Sequence, residues 1–433
     1  MRLGGRMAAA IEVIEDIEAR RRPAADALKD WGLGHRFAGS GDRAAIGNIV
    51  YDVLRKRRSL AWRMDDEAPR ALVFAAMLTV FDQTPESLAA ALDGDRFAPE
   101  MPSEAEFQRL AARDPHEAPP SIRADLPDWV VPLFEQGLGA DWVDEASCLA
   151  ERPPLDMRVN TLKAERGKVL KALDRFGAAE TGFAPSGLRI APITGDRRHP
   201  HVQAEAAFQK GWFEVQDEGS QLVTLLSGAN PGSQVLDYCA GAGGKTLALA
   251  AMLENTGQIH AYDVDRQRLA PIYDRLGRAG ARDVQIHDPR ADLSDLTGRM
   301  DLVLLDAPCT GTGTWRRRPD AKWRLSDTAL DKRLAEQDAV LDAASAFTKP
   351  GGRLVYITCS LLRPENAGRI EAFLERHPEF ALLDATRSWS EALPDKPATY
   401  RADTIGEGAV LSLTPRLTGT DGFFFAALER RST

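Results

Sequence analysis

Two cysteines in this chain close short motifs at the ends of apolar runs. Asp306-Ala307-Pro308-Cys309 ends MDLVLLDAPC (300–309), and Thr358-Cys359-Ser360 ends RLVYITCS (353–360). An ionised thiol is a strong nucleophile, and two thiols side by side can divide attack and release between them. The other two cysteines are Cys148 and Cys239. No Cys-x-x-Cys pair or nearby histidine suggests zinc, and four cysteines in 433 residues make no disulfide framework. The bland expectation for any one of them is a small buried hydrophobe.

A second constellation is VLDYCAGAGGKT (235–246), with glycines at 241, 243 and 244 just before a helix start. Such a turn admits close approach of a ligand to the backbone. A P-loop would need glycine where Cys239 stands, and a dinucleotide fingerprint would need glycine or alanine where Thr246 stands. What remains is a looser turn for an adenosine-type cofactor. Asp263 follows Gly243 by 20 residues and suits ribose hydroxyls, with Asp265 the neighbouring candidate. Asp288, after the next apolar run, is placed for an adenine amino group.

Over a sulfonium methyl donor, paired thiols have a specific use. Carbon 5 of cytosine is a poor nucleophile, but a thiolate adding to carbon 6 turns the ring into an enamine that can take a methyl group. A base must then remove the carbon 5 proton so that the thiol can leave. Asp306 could hydrogen-bond the ring where charge develops. The attacking thiol needs a positive neighbour to ionise near neutral pH, and Lys245 and the sulfonium are the candidates.

The elements that would carry these groups read as a doubly wound α/β sheet. Apolar strands are predicted at 234–239, 257–265, 283–288, 300–309, 352–360 and 421–428, with helices between them, so the strand ends should hold the ligands. Residues 8–115 read as helices, including 46–64 and 70–81, with another at 126–139. A small α/β module with a basic edge at Arg158, Lys163, Arg166, Lys168 and Lys171 lies between. The expected domains are 1–145, 146–210 and 211–433.

The net charge of −9 is unevenly spread: +4 over 1–58, −12 over 59–150 and −1 beyond. A local basic surface for nucleic acid therefore remains open. No apolar run is long enough for a membrane span, and the N-terminus reads as an amphipathic helix, so a cytoplasmic protein is expected.

The motifs resemble the Nop/Sun (Fmu-type) family of RNA cytosine-5 methyltransferases. The matching pieces are GWFEVQDEGSQ (211–221), VLDYCAGAGGKT, AYDVDRQRL (261–269), LLDAPCTGTGTWRRRPDAKW (304–323), YITCSLLRPEN (356–366) and TDGFFFAAL (420–428). RVNTLK (158–163) resembles the family's small RNA-binding module. The helical N-terminus, with RFAGSGDRAAIGNIVYDVLR (36–55), is similar to the NusB-like domain of the bacterial 16S rRNA branch.

The resemblance implies a Rossmann-like catalytic domain that uses S-adenosylmethionine (SAM) and acts on RNA, with ribosomal RNA ahead of transfer RNA. No metal is expected, and a monomer is expected because one chain would hold the whole site. It implies Cys359 as nucleophile and Cys309 as the thiol that assists release; the reverse assignment is the rival. Cys239, Ala240, Gly241, Ala242, Gly243, Gly244 and Lys245 would line the SAM site with Asp263, Asp288 and Asp306. Ala242 departs from the family's usual proline, and His287-Asp288-Pro289 from its usual Gly-Asp. Arg316 and Arg317 would contact phosphate, while Trp315 or Trp323 would pack on a flipped nucleotide or, as the expected alternative, in the core. Rival classes are a catalytically inactive RNA-binding scaffold and a small-molecule or protein methyltransferase.

Overall fold

The computed structural model describes residues 1–433 apart from Asp196, His199 and Thr433. Its contacts divide the chain into two compact units. One comprises 1–153, 192–199 and 315–326; the other comprises 154–191, 200–314 and 327–433.

The first unit is helical. Its core gathers Met7, Ile14, Ile46, Val50, Leu72 and Phe74 from helices Leu3–Arg20, Ser40–Arg55 and Pro69–Thr79. The expected continuous helix over 46–64 breaks at Lys56, which ends Ser40–Arg55 in a non-helical conformation before Arg57–Met64 begins. Residues 315–326 pack here too, although the sequence pattern assigns them to the catalytic region. Trp315 is fully buried and stacks on Phe134 with ring centres 5.6 Å apart. Lys322 Nζ donates to Arg55 O at 3.0 Å, and Trp323 Nε1 to Leu54 O at 2.7 Å.

The second unit holds two sheets. The smaller is antiparallel: β1 (Leu155–Val159), β2 (Ala179–Glu180), β3 (Gly187–Ile190) and β4 (Phe213–Val215), in the order β2-β3-β1-β4. Helices Arg166–Ala172 and Ala206–Gln209 connect its strands. The expected boundary at 210/211 thus falls inside this sheet. The strand within GWFEVQ pairs with β1, placing Met157 opposite Val215 and Val159 opposite Phe213.

The larger sheet contains β5 (Gln234–Asp237), β6 (Gln258–Ala261), β7 (Val284–Ile286), β8 (Met300–Asp306), β9 (Thr348–Thr358), β10 (Phe380–Leu382), β11 (Arg401–Ile405), β12 (Gly408–Leu413) and β13 (Phe423–Arg430). Its order is β11-β12-β13-β9-β8-β5-β6-β7, with β10 against β13. Strands β5 to β9 pair in parallel, while β13 runs antiparallel to β9. Alternation sends Val235, Leu302, Leu304, Val355, Ile357 and Phe425 into one core layer, and Leu236, Val303, Leu305, Leu354, Tyr356 and Phe424 into the other. Both faces are covered, which is why these strands read as unbroken apolar runs. Each such side chain contributes about 1.5–3 kcal/mol.

The helix expected over DRQRLAPIYDRLGRAG is two pieces, Arg266–Leu269 and Ile272–Ala279, because Pro271 supplies no backbone N–H. Among the described residues no helix is long and apolar enough to cross a membrane.

Candidate active site

From β5 the chain moves to β6 and β7 on one side, then crosses to β8 and β9 on the other. Loops leaving β5 and β8 therefore diverge, and this switch point opens a crevice beyond the strands' carboxyl ends. Both motif groups lie there.

The turn after β5 is shaped by two glycines in the left-handed region, Gly241 at φ +49° and Gly243 at φ +81°. A Cβ on Gly243 would sit 2.5 Å from Ile272 Cγ1, so no larger residue fits. Gly243 N–H donates to Ala240 O at 2.8 Å, closing the turn. Helix Gly244–Met252 begins at once with no side-chain cap, leaving its first amides for a ligand. Behind the turn, Asp263 is only 2% exposed; its Oδ2 accepts from Gly241 N at 2.9 Å and its Oδ1 from Asp265 N at 2.8 Å. Asp265 points elsewhere, capping Arg266–Leu269 through the amides of Gln267 and Arg268. Of the two acids, Asp263 is the one at the turn.

Asp237, at the tip of β5, was not singled out by the sequence. Its Oδ2 accepts from Thr246 Oγ1 at 2.6 Å, while Oδ1 is buried with no partner among the described residues. Burial raises its pKa to about 7. Burial, together with Asp263, Asp237 and Asp306, also pushes the Cys239 thiol well up, so Cys239 is a neutral member of the turn. An uncapped helix start, two left-handed glycines and an orphaned carboxylate oxygen suit a ligand carrying both a carboxylate and an ammonium, as SAM does.

Asp288, the expected adenine contact, lies on the surface after β7. Its side chain is 50% exposed, and Oδ1 accepts from Arg290 N at 3.0 Å, an arrangement that lowers its pKa. It behaves as a turn residue.

Across the crevice, β8 and β9 are neighbours with Asp306 opposite Ile357. Cys309 and Cys359 follow within a few residues of that pair, and their Sγ atoms lie 3.4 Å apart. One buried carboxylate ties the two loops together. Glu365 accepts from Thr310 N at 2.8 Å, from Thr310 Oγ1 and Ser360 Oγ at 2.5 Å each, and from Gln337 Nε2 at 3.1 Å. Asn366 adds bonds to Ser360 O and Thr358 Oγ1. The sequence carries this acid as the Glu of LLRPEN, six residues past Cys359, but nothing local marks it as buried.

The hydrogen bond to Cys359, then burial, then the charges of Cys359 and Glu365 push the Cys309 thiol well up. Lys245 does not relieve this. Its ammonium pairs with Asp306 Oδ2 at 2.7 Å, so the expected counter-charge for a thiolate is already committed to a carboxylate.

Of the expected RNA contacts, Arg158 is buried rather than on an edge: Nε donates to Gln216 Oε1 at 2.6 Å. Lys163, Lys168 and Lys171 remain exposed, and Arg166 pairs with Glu180. Arg316 is buried. Trp315 is a core residue, the alternative the sequence favoured. No metal-holding group of three or more ligands occurs among the described residues.

Residues 223–429 match the family described as 16S rRNA methyltransferase RsmB/F, and residues 126–193 match the RsmF/B-like ferredoxin-like domain. The chain is 29% identical to the probable ribosomal RNA small subunit methyltransferase B of a Synechocystis strain, over 96% of this chain and 98% of that one. It is 35% identical to the ribosomal RNA small subunit methyltransferase B of Cronobacter sakazakii, over 70% of this chain and 66% of that one. The crystal structure of the protein PH0851 superposes with a TM-score of 0.72 at 26% identity, covering 99% of this chain and 100% of that one. On these grounds the chain belongs to the RsmB/F family of SAM-dependent methyltransferases.

Proposed function

We propose that this protein methylates carbon 5 of a cytosine in RNA, with 16S rRNA the expected substrate, through a covalent adduct between Cys359 and carbon 6. The observation that carries the reading is the 3.4 Å contact between Cys309 and Cys359 Sγ at the ends of adjacent parallel strands. Small-molecule and protein methyl transfer has no use for such a pair, and a scaffold without catalysis would not need it.

Cys359 adds to carbon 6, making carbon 5 nucleophilic. SAM, when bound, supplies the electrophilic methyl group. The turn Cys239–Lys245 holds it, with Asp263 on the ribose side and Asp306 between turn and thiols. Asp288, half-exposed beyond β7, would contact the adenine from the rim of the site. Cys309, kept protonated by its neighbours, is suited not to attack but to donating its S–H to the Cys359 sulfur as that sulfur departs, once a separate base has taken the carbon 5 proton. Asp306, paired with Lys245, would hydrogen-bond the ring where charge develops. The names of the relatives support ribosomal over transfer RNA. The helical unit and the small sheet would hold the RNA, and one chain carries every residue assigned here, which fits a monomer.

The test is incubation with SAM and a 16S rRNA transcript containing 5-fluorocytidine, followed by denaturing gel. The wild type and Cys309→Ala should trap an adduct, and Cys359→Ala should not, with turnover on normal RNA lost at least about a thousandfold. An adduct kept by Cys359→Ala and lost by Cys309→Ala would reverse the two roles. No adduct with any chain would sink the covalent route.

A further inference from the structure

We infer that the small four-stranded sheet fixes the shape of the SAM turn, with Arg275 as the positioning residue that pins the Ala242 carbonyl. Ala242 sits between Gly241 and Gly243, both at positive φ. These are the freest joints a chain can have, so the intervening peptide would flip easily unless something held its carbonyl. Arg275 does so: its Nη1 donates to Ala242 O at 2.7 Å. The same guanidinium binds Glu214 Oε2 through Nη2 at 3.0 Å and Nε at 3.3 Å. Glu214 belongs to β4, is buried, and is also paired with Arg278 Nη2 at 2.5 Å.

A parallel link reaches the other end of the turn. Arg158 on β1, the cross-strand partner of Glu214, holds Gln216 Oε1 at 2.6 Å. Gln216 Nε2 in turn donates to Gly244 O at 3.3 Å. Burial holds the Arg158 pKa down at about 10, a cost an RNA-facing surface arginine would not carry. Burying charges in a small sheet rarely adds stability over apolar packing; it does fix one geometry. Here the geometry fixed is that of two backbone carbonyls on either side of Gly243. Helix Ile272–Ala279 contributes both Ile272, which closes over Gly243, and Arg275.

This inference rests on the turn being the SAM site. The test is calorimetric titration of full-length protein with SAM, with kinetics on a 16S rRNA transcript. Arg275→Met, which keeps the stem and removes the fork, should weaken SAM binding about tenfold. KM for SAM should rise in step, kcat at saturating SAM should stay within about twofold, and RNA affinity should hold. Arg275→Lys should recover part of the loss, and Arg387→Ala, on a remote exposed helix, should match wild type. A folded Arg275→Met chain with unchanged SAM affinity, or with kcat lost at unchanged KM, overturns the inference. Should Arg275→Met fail to fold, Glu214→Gln decides: about threefold weaker SAM binding supports the link, and wild-type affinity overturns it. If wild-type protein itself does not bind SAM, the cofactor assignment falls and takes this inference with it.

Discussion

The turn after β5 and the thiol loops after β8 and β9 face one crevice, yet they hold their shapes by different means. The turn relies on backbone: two left-handed glycines, an uncapped helix start and carbonyls gripped from outside. The thiol loops rely on buried side chains that cross between them: Glu365, whose carboxylate gathers donors from both, and Thr312, whose hydroxyl bonds Ser360 Oγ and the Leu361 amide. A ligand that must enter and leave is served by backbone amides, which present donors without a long side chain in the way. Two sulfurs that must stay in contact need their loops bound to each other, and a buried carboxylate with four donors does that.

If that contrast is right, damage to one region should spare the other. The largest effect is expected from Glu365→Ala. It strands the Thr310 amide and hydroxyl, the Ser360 hydroxyl and the Gln337 amide, and should cost about 3–5 kcal/mol in chemical denaturation. SAM affinity of the folded fraction should hold within about threefold. Equal loss of SAM binding would show that the two regions are not separately built.

Next is a pH effect confined to the turn. Asp237 has a folded pKa of about 7 against an ordinary 3.8. Between those values the folded state binds more protons than the unfolded, so stability falls as pH rises through the window. The full span is up to about 4 kcal/mol. Asp237→Asn should flatten the stability profile from about pH 4 to 7 in urea titrations at fixed ionic strength. An unchanged slope would place the buried charge elsewhere.

The smallest change in stability should come from Gly243→Ala. Positive φ and the clash with Ile272 should cost about 2–3 kcal/mol. The same substitution should abolish measurable SAM binding. Retained SAM affinity would mean the turn is not held as tightly as its geometry implies.

The catalytic sheet was legible because its central strands are buried on both faces, which leaves long apolar runs ended by functional residues. The last three strands before β13 were not. Phe380–Leu382, Arg401–Ile405 and Gly408–Leu413 are short or polar, and they are strands because β13 and one another supply partners. The choice between Asp263 and Asp265 was open in sequence, since two acids two residues apart look alike. Only the bond to Gly241 against the cap on Gln267 and Arg268 separates them. Lys245 read as a free cation, and its pairing with Asp306 lies 61 residues away along the chain. Arg316 read as phosphate-contacting because basic content is all that sequence displays there, while core packing was the expected place for Trp315 and Trp323; the partners Phe134, Leu54 and Arg55 are set by long-range packing.

By itself, the sequence determined which residues end the strands, because hydrophobic alternation and glycine placement are local and a strand's end is written in its own run. That Cys309 and Cys359 touch, that Glu365 and Thr312 bind their loops, and that a small sheet grips the glycine turn were decided by tertiary structure. Each joins residues distant in the chain, and distance in the chain carries no signal of distance in space.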